Sequence, residues 1–326
     1  MKTTLIFFFM LALLSSPLAT FAARPLDFDG DGKSDFAVIR NRTSGSNTVI
    51  DWYIAQSSTN ILRHAQWGLG PADIPLPADY DGDNKTDIAV WRSSSTIGQS
   101  YFYILNSSNA TVRVEQFGLE FDETRVVGDY DGDNKADLAV YRQSGFGQQT
   151  YFIYRGSLNN PNGNLTYVPW GTGSSTIYPG DFDGDGKYDF CVRQPGTGRF
   201  ALLRSSDGGV EWINWGLPND GLNPGDYDGD GKTDFCARRT NGTAVEWYIL
   251  ERDGGGTGAA PIRWGRTGVP IQFPIRSGDY DGDGLSDIGV YQIGDGQPGV
   301  FFIRRSSDGS TLAYQLGTSD AGDAPL

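Results

Sequence analysis

Six copies of one acidic motif divide this chain and constrain its architecture more than any other feature. They read DFDGDGKSDFAVIR from Asp27, DYDGDNKTDIAVWR from Asp79, DYDGDNKADLAVYR from Asp129, DFDGDGKYDFCVRQ from Asp181, DYDGDGKTDFCARR from Asp226 and DYDGDGLSDIGVYQ from Asp279. Successive copies begin 52, 50, 52, 45 and 53 residues apart. A repeat of this length is one supersecondary unit that cannot bury its hydrophobic face alone, so the units must stack on one another. The spacing suits a propeller blade and is far too long for the roughly nine-residue turns of calcium β-helices.

Between the motifs the chain repeats further signals. The aromatic and β-branched runs DWYIAQS, YFYILNS, YFIYRGS, FALLRSS, EWYILER and VFFIRRS predict strands. A later element recurs as AQWG, EQFG, VPWG, INWG, IRWG and YQLG, and a Gly/Pro-rich stretch such as DIPLPAD then leads into the next loop. No segment has helical periodicity, so each unit is expected to hold about four short strands separated by turns.

The two ends complement one another. Asp323, Ala324, Pro325 and Leu326 match Asp73, Ile74, Pro75 and Leu76, while Pro25, Leu26 and Asp27 match the stretch just after Leu76, namely Pro77, Ala78 and Asp79. Joined, they rebuild one intact segment between loops. The expected fold is therefore all-β, a six-bladed β-propeller over residues 23–326 closed by pairing of its N- and C-terminal segments, with one acidic loop per blade. Closure removes the free sheet edges that invite aggregation. Residues 1–22 read as a cleaved export signal, with Lys2 as the positive region, Leu5 to Leu14 as the apolar region and Thr20-Phe21-Ala22 as the cleavage pattern. That apolar run is short for a membrane span and no second one succeeds it, so a secreted or periplasmic protein without membrane insertion is expected.

The chemistry of the loop comes from its spacing. Asp27, Asp29, Asp31 and Asp35 occupy positions 1, 3, 5 and 9, and the same holds for Asp79, Asp81, Asp83 and Asp87, and for Asp129, Asp131, Asp133 and Asp137. The remaining quartets are Asp181, Asp183, Asp185 and Asp189; Asp226, Asp228, Asp230 and Asp234; and Asp279, Asp281, Asp283 and Asp287. Alternate carboxylates on a tight turn converge on one point, where a hard cation needing several oxygens fits. The backbone carbonyl at position 7 is a further candidate ligand, from Lys33, Lys85, Lys135, Lys187, Lys232 and Leu285. Position 4 is always glycine and position 6 is glycine, Asn84 or Asn134, residues that tolerate the positive φ of a sharp turn. An EF-hand would need a bidentate Glu at position 12, where this chain has Val38, Val90, Val140, Val192, Ala237 and Val290.

Electrostatics argue against loops without metal. Four carboxylates roughly 5 Å apart repel by about 0.8 kcal/mol per pair at the dielectric of water, hence about 5 kcal/mol per loop. Six such loops reach on the order of 30 kcal/mol before screening, against a typical net stability of about 5 to 15. Calcium is expected in each, up to six ions, because magnesium resists giving up its waters to a cage of protein oxygens. The ions also reinterpret the net charge of -14: loss of Lys2 with the signal gives -15, and six divalent ions bring it to -3. The acidity is stored in the loops and says little about partners. Nucleic acid is not expected among them.

The DxDGDGKxDxAV units resemble FG-GAP or VCBS-type repeats, as found in the β-propeller of integrin α subunits and in many exported bacterial proteins. The resemblance spans essentially the whole chain after the signal. It implies calcium held by the six Asp quartets on one face of the propeller and ligands engaged elsewhere. Phe117-Gly118 keeps the FG pair, whereas most copies have Trp-Gly, and AVxR-like sequence stands in place of GAP. Some fungal lectins with similar repeats bind sugars between blades, which offers a second analogy.

Other residues receive structural assignments. Trp67, Phe117, Trp170, Trp215, Trp264 and Leu316 are expected to pack between neighbouring blades rather than form sugar platforms. Trp52, Phe102, Phe152, Trp247 and Phe301 are expected in the core, with Ala201 leaving a gap in the fourth copy. Arg40, Arg92, Arg142 and Arg239, replaced by Gln194 and Gln292 elsewhere, are expected to stack on aromatics or pair with nearby acids. Cys191 and Cys236 stand where other copies have Ala or Gly, so they read as small buried residues, with a bridge between them left open. His64 reads as structural. Asn41, Asn106, Asn109, Asn164 and Asn241 lie in Asn-x-Ser/Thr triplets, as does Asn84 inside a loop.

No nucleophile elbow, phosphate loop or zinc spacing is present, and nearly all paired carboxylates are committed to the loops. The expected role is a monomeric binding or adhesion module for an extracellular protein or glycan ligand. A lectin with pockets between blades is the alternative, and a polysaccharide lyase acting through calcium, arginine and tyrosine a lesser one.

Overall fold

In a computed structural model, which describes residues 25–326 apart from 46, 97, 144–147, 257–259, 269–270, 295 and 319–321, the chain is a ring of six β-sheets. The second blade shows the plan. Its innermost strand, Asp73–Pro75, runs into the acidic loop; Ile88–Arg92, Tyr101–Leu105 and Val112–Gln116 then lie successively outward, each antiparallel to the last. The Ile88–Arg92 strand is buried on both faces and so reads as an unbroken apolar run, whereas the outermost strand alternates between exposed and half-buried. The loop and the turn between the third and fourth strands emerge at one end of the sheet; the other hairpin and the link to the next blade emerge at the opposite end.

The ends of the chain meet as expected. Ala324–Pro325 forms the innermost strand of the first blade, with Val38 opposite Pro325 and Ile39 opposite Ala324. The Leu326 N–H donates to the Ala37 carbonyl, as that of Leu76 does to Ala89. The expectation of four strands per unit fails only in the third blade, which has three, Leu138–Gln143, Gln149–Arg155 and Thr166–Thr172. Its inner segment makes a single bridge, Glu123 to Tyr141, because a turn closed by Val127 N–H to Thr124 carbonyl pulls the backbone out of register.

The core is not one mass but six wedges, each filled from two adjacent blades. Leu76, Trp91 and Phe102 of blade 2 pack with Leu138, Val140 and Ile153 of blade 3, and Phe36, Val38 and Ala55 of blade 1 pack with Ile275, Tyr291 and Phe301 of blade 6. That last wedge closes the ring. The Trp-Gly residues act between blades: the indole N–H groups of Trp67, Trp170, Trp215 and Trp264 donate to the carbonyls of Tyr103, Ala201, Tyr248 and Phe302 in the following blade. Trp52, Phe102, Phe152, Trp247 and Phe301 are buried, and Ala201 is buried too, with Trp170 packed against its cluster. Cys191 and Cys236 are buried free thiols, each in a different wedge.

Four arginines clasp the inner strands. Arg40 pairs with Asp323, Arg92 with Asp73, Arg142 with Asp122 and Arg239 with Asp220, each through two nitrogens at 2.6 to 2.9 Å. The same aspartates accept the N–H groups of Thr318, Leu69, Leu119 and Leu217 where the chain enters the blade. Arg40, Arg92 and Arg239 also lie over the rings of Tyr53, Tyr103 and Tyr248. Where the arginine is missing the acid is missing too: blade 4 has Gln194 and Ser175, and in blade 6 Gln272 donates to Gln292 at 2.8 Å. The Asp73 carboxylate is fully buried, so Arg92→Gln strands a charge and should cost about 3 kcal/mol. The double variant Arg92→Gln/Asp73→Ser, which copies blade 4, should recover most of that loss in urea unfolding. Equal losses in the single and double variants would refute the pairing argument.

Candidate metal centres

Each loop is shaped by its own carboxylates. In the first, Asp27 accepts the N–H groups of Gly30 at 2.6 Å and Gly32 at 2.9 Å, Asp31 accepts that of Lys33, and Asp35 accepts that of Phe28 at 2.8 Å. The turn these bonds define needs a left-handed backbone at position 4, where Gly82 has φ of 83°. A second constraint acts there. A Cβ on Gly82 would lie 2.8 Å from Lys135 of the next blade, and one on Gly282 2.5 Å from Lys33. The lysine at position 7 thus covers the preceding loop, and Lys33 Nζ donates to the Asp281 carbonyl at 3.1 Å. Leu285 takes that place over Gly229.

A belt of backbone hydrogen bonds joins the loops. The carbonyl of Asp27 accepts the N–H of Thr86, that of Asp79 accepts Ala136, Asp129 accepts Tyr188, Asp181 accepts Thr233, Asp226 accepts Ser286, and Asp279 accepts Ser34. The six bonds, each 2.5 to 2.7 Å, run once around the ring in a single sense.

The loops bring together positions 1, 3 and 9 first of all. One carboxylate oxygen from each of Asp27, Asp29 and Asp35 lies within 4.8 Å of the others, and the same holds for Asp79, Asp81 and Asp87, for Asp129, Asp131 and Asp137, and for Asp181, Asp183 and Asp189; the fifth blade gathers Asp226, Asp228 and Asp230. Position 9 is buried in every blade, at 0% to 3% exposure, whereas the position-5 aspartates Asp31, Asp185 and Asp230 are exposed. Burial pushes the position-9 carboxyls up to about 6 at Asp35, Asp87, Asp189 and Asp287, to about 7 at Asp234 and to about 8 at Asp137. Asp137 is pushed highest because it keeps the Tyr130 N–H but lacks the second backbone donor that Ser57 supplies to Asp35.

The donor set fits a divalent cation. Asp131 is 4% exposed; its Oδ2 accepts the N–H groups of Leu158 and Asn159, yet its Oδ1 has no partner, and neither has Oδ1 of Asp81. Buried carboxylate oxygens without donors, beside two more carboxylates, are the arrangement a hard cation satisfies.

Serines that sequence reasoning passed over complete the site. Ser57 gives its N–H to Asp35 and its hydroxyl to Asp31, and the Ser58 hydroxyl donates to Asp29. Ser107 and Ser108, Ser205 and Ser206, and Ser306 and Ser307 serve their own loops in the same way. The signal was present as the Ser-Ser that follows the aromatic run in blades 1, 2, 4 and 6. Blade 3 keeps only Ser157, followed by Leu158, and blade 5 departs with Arg252-Asp253: the Arg252 N–H still serves Asp234, its guanidinium turns to Glu211 at 2.9 Å, and burial together with the Asp230 and Asp253 charges pushes Asp228 up. His64 lies in no such cluster among the described residues; it meets Asp51 at 3.2 Å, and its ring is tilted against that of Tyr53 at 5.0 Å.

Six radially packed sheets, each with an acidic loop at the same end, define a β-propeller with repeated acidic loops whose carboxylates could hold cations. The protein is an FG-GAP-like repeat propeller: the FG-GAP-like repeat model matches residues 129–192, 181–237 and 226–290. No curated protein matches the sequence. Among solved structures the chain is similar to TolB from Acinetobacter baumannii, at 15% identity and a TM-score of 0.52, over 90% of this chain and 66% of that one. It also resembles AofleA from Arthrobotrys oligospora, at 12% identity and a TM-score of 0.48, over 90% of this chain and 89% of that one. At such identities the likeness is one of fold.

Proposed function

We propose that this protein is an exported, calcium-loaded propeller, monomeric, that serves as a binding module for an extracellular protein or glycan. The observation that carries this reading is the division of labour between the two ends of the blades. At one end every blade repeats the same acidic loop, with a Ser-Ser turn in four blades and a lysine cover over five loops, an arrangement suited to cations. At the other end the pattern is broken: the arginine–aspartate clasp is present in blades 1, 2, 3 and 5 and absent from blades 4 and 6. Two clefts open there on blades 4 and 5, one of about 410 Å³ beside Arg199 and Trp215, and one of about 500 Å³ between Leu217–Gly221 and Arg238–Thr240. Clefts lined by arginine, tryptophan and amide groups suit sugars or polar peptide segments, and they favour a lectin as the specific form of this reading. Export rests on residues 1–22, which lie outside the described residues; no helix among the described residues is long and apolar enough to cross a membrane.

Calcium-loaded protein applied to a glycan array and to an array of extracellular proteins, beside a lyase assay on acidic polysaccharides, tests the reading. Retention on either array without unsaturated products is the expected result. Release of unsaturated products, or silence on both arrays from fully loaded protein, would overturn it.

A further inference from the structure

The strand that follows each acidic loop has one position where two blades differ from the rest. The thirteenth residue counted from the first aspartate is Ile39, Trp91, Tyr141 and Tyr291 in blades 1, 2, 3 and 6, but Arg193 in blade 4 and Arg238 in blade 5. Aromatic residues there have a structural duty: the Trp91 indole N–H donates to the Phe117 carbonyl at 2.9 Å, and the Tyr291 hydroxyl to that of Leu316 at 3.0 Å. In blades 1 and 5 the next strand takes over that duty, with Trp52 and Trp247 donating to the carbonyls of Trp67 and Trp264, each at 2.8 Å. Blade 1 then fills the vacated position with an isoleucine packed against the core. Blade 5 places a cation there, which packing does not require.

The two arginines have different surroundings. Arg193 reaches the following blade, where its Nη1 donates to the Asp220 carbonyl at 2.7 Å. Arg238 lines the cleft of about 500 Å³ at the end of the ring opposite the acidic loops, and its Nε has no hydrogen-bond partner. Its guanidinium lies against Gly221, where a Cβ would collide with it, and over the Trp247 ring at 5.7 Å. The acid of the cleft is already engaged: Asp220 accepts two bonds from Arg239, at 2.9 and 2.8 Å, and the N–H of Leu217 at 2.7 Å. No ion pair neutralises Arg238 among the described residues. Arg239 and Asp220 cancel, so the cleft keeps one positive charge in a chain of net charge -14. A half-buried cation without a counter-ion costs folding energy, and a ligand that supplies the missing charge recovers it.

We propose that the cleft of blade 5 is a site for an acidic sugar, whose carboxylate or sulfate ester pairs with Arg238. The planar fork of a guanidinium matches either oxyanion through two parallel N–H donors. One uncompensated cation suits a single negative charge. Leu217, 51% exposed, and Pro218 offer an apolar face to the C–H side of a sugar ring, and the exposed Asn219 and Thr240 offer an amide and a hydroxyl to its hydroxyl groups. The volume lies in the range of small-ligand sites, about 300 to 1,000 Å³. An acidic peptide fits less well, because extended peptides add to a free strand edge, whereas Arg238 is paired with Gly221 on one side and Trp247 on the other. The inference rests on the reading of this protein as a binding module and names the class of glycan.

Titration calorimetry of the full calcium-loaded chain with sodium glucuronate and glucose 6-sulfate, against glucose and N-acetylaspartate methylamide at equal ionic strength, reads the site directly. At least one of the two anionic sugars should bind once per chain with millimolar affinity, tenfold or more tighter than glucose or the amino-acid derivative. Arg238→Gln should weaken that sugar at least tenfold without lowering the melting temperature of the free protein, since the guanidinium has no ionic partner to lose. Arg238→Lys should retain part of the affinity, and Arg266→Gln, on the exposed outer strand of the same blade, all of it. A fall in the melting temperature of Arg238→Gln with binding intact would reduce Arg238 to a stacking partner of Trp247 and overturn the proposal. Equal binding of glucose, a preference for the aspartate derivative, or no binding of any of the four would overturn it too. Retention of neutral glycans or of proteins on the arrays would in those cases leave the binding-module reading standing.

Discussion

Removal of calcium should lower the melting temperature by about 20 °C or more. Each ion present at a hundred times its dissociation constant adds about 2.7 kcal/mol, so six loops together add about 16. A chain of this length moves a little under 2 °C per kcal/mol. The magnitude is large because the loops are not ornaments on a finished domain: they are tied to one another, to the serine turns and to the first strand of every blade. The pH dependence should change sign with the metal. In the metal-free protein the buried position-9 carboxyls sit at about 6 to 8, above their usual 3.8, so the folded state holds protons that the unfolded state has released. That stability is fully present below 3.8 and is lost as pH rises through 6 to 8. The loaded protein needs those carboxylates ionised, so protons compete with the cation below about pH 6. Protein stripped and desalted should therefore melt higher at pH 5 than at pH 8, and loaded protein lower. Calorimetry with elemental analysis decides the matter: fewer than about three ions per chain, or an unchanged melting temperature after stripping, would defeat the calcium assignment.

Deleting Asp323 to Leu326 should cost roughly 4 kcal/mol and promote self-association. Leu326 leaves a wedge shared with Leu26, Phe28 and Trp52, worth about 1.5 to 2 kcal/mol by area. Arg40 and the Thr318 N–H lose their common acceptor. The strand Phe36–Ser44, whose inner edge those residues cover, becomes a free edge ready to pair with another molecule. Light scattering and thermal unfolding of the truncated chain read both effects. A monomer with an unaltered melting temperature would show that closure does not depend on this segment.

Much of this architecture was legible in the sequence because the chain states it six times. The loop positions, the Trp-Gly packing and the meeting of Leu326 with the start of the chain each come from a register that repetition makes unambiguous. What stayed hidden was cross-strand or inter-blade pairing, which no single repeat displays. The arginines were assigned to nearby acids, but Asp323, Asp73, Asp122 and Asp220 became their partners only once the inner strand lay beside the second. The Ser-Ser turns were visible as a pattern, yet their contact with the loop depends on the third strand returning to the same end of the sheet. Blade 3 lost its fourth strand to a single turn in its inner segment, outside the stretch that the six loop copies share.

The belt of backbone bonds has a direction but no beginning. A loop that opens must part from the neighbour it holds and from the neighbour that holds it, so no loop is terminal and none can fray. The amides of Ser34, Thr86, Ala136, Tyr188, Thr233 and Ser286 are thereby committed to a common fate in hydrogen exchange, protected together while the circle is whole and released together when one wedge yields.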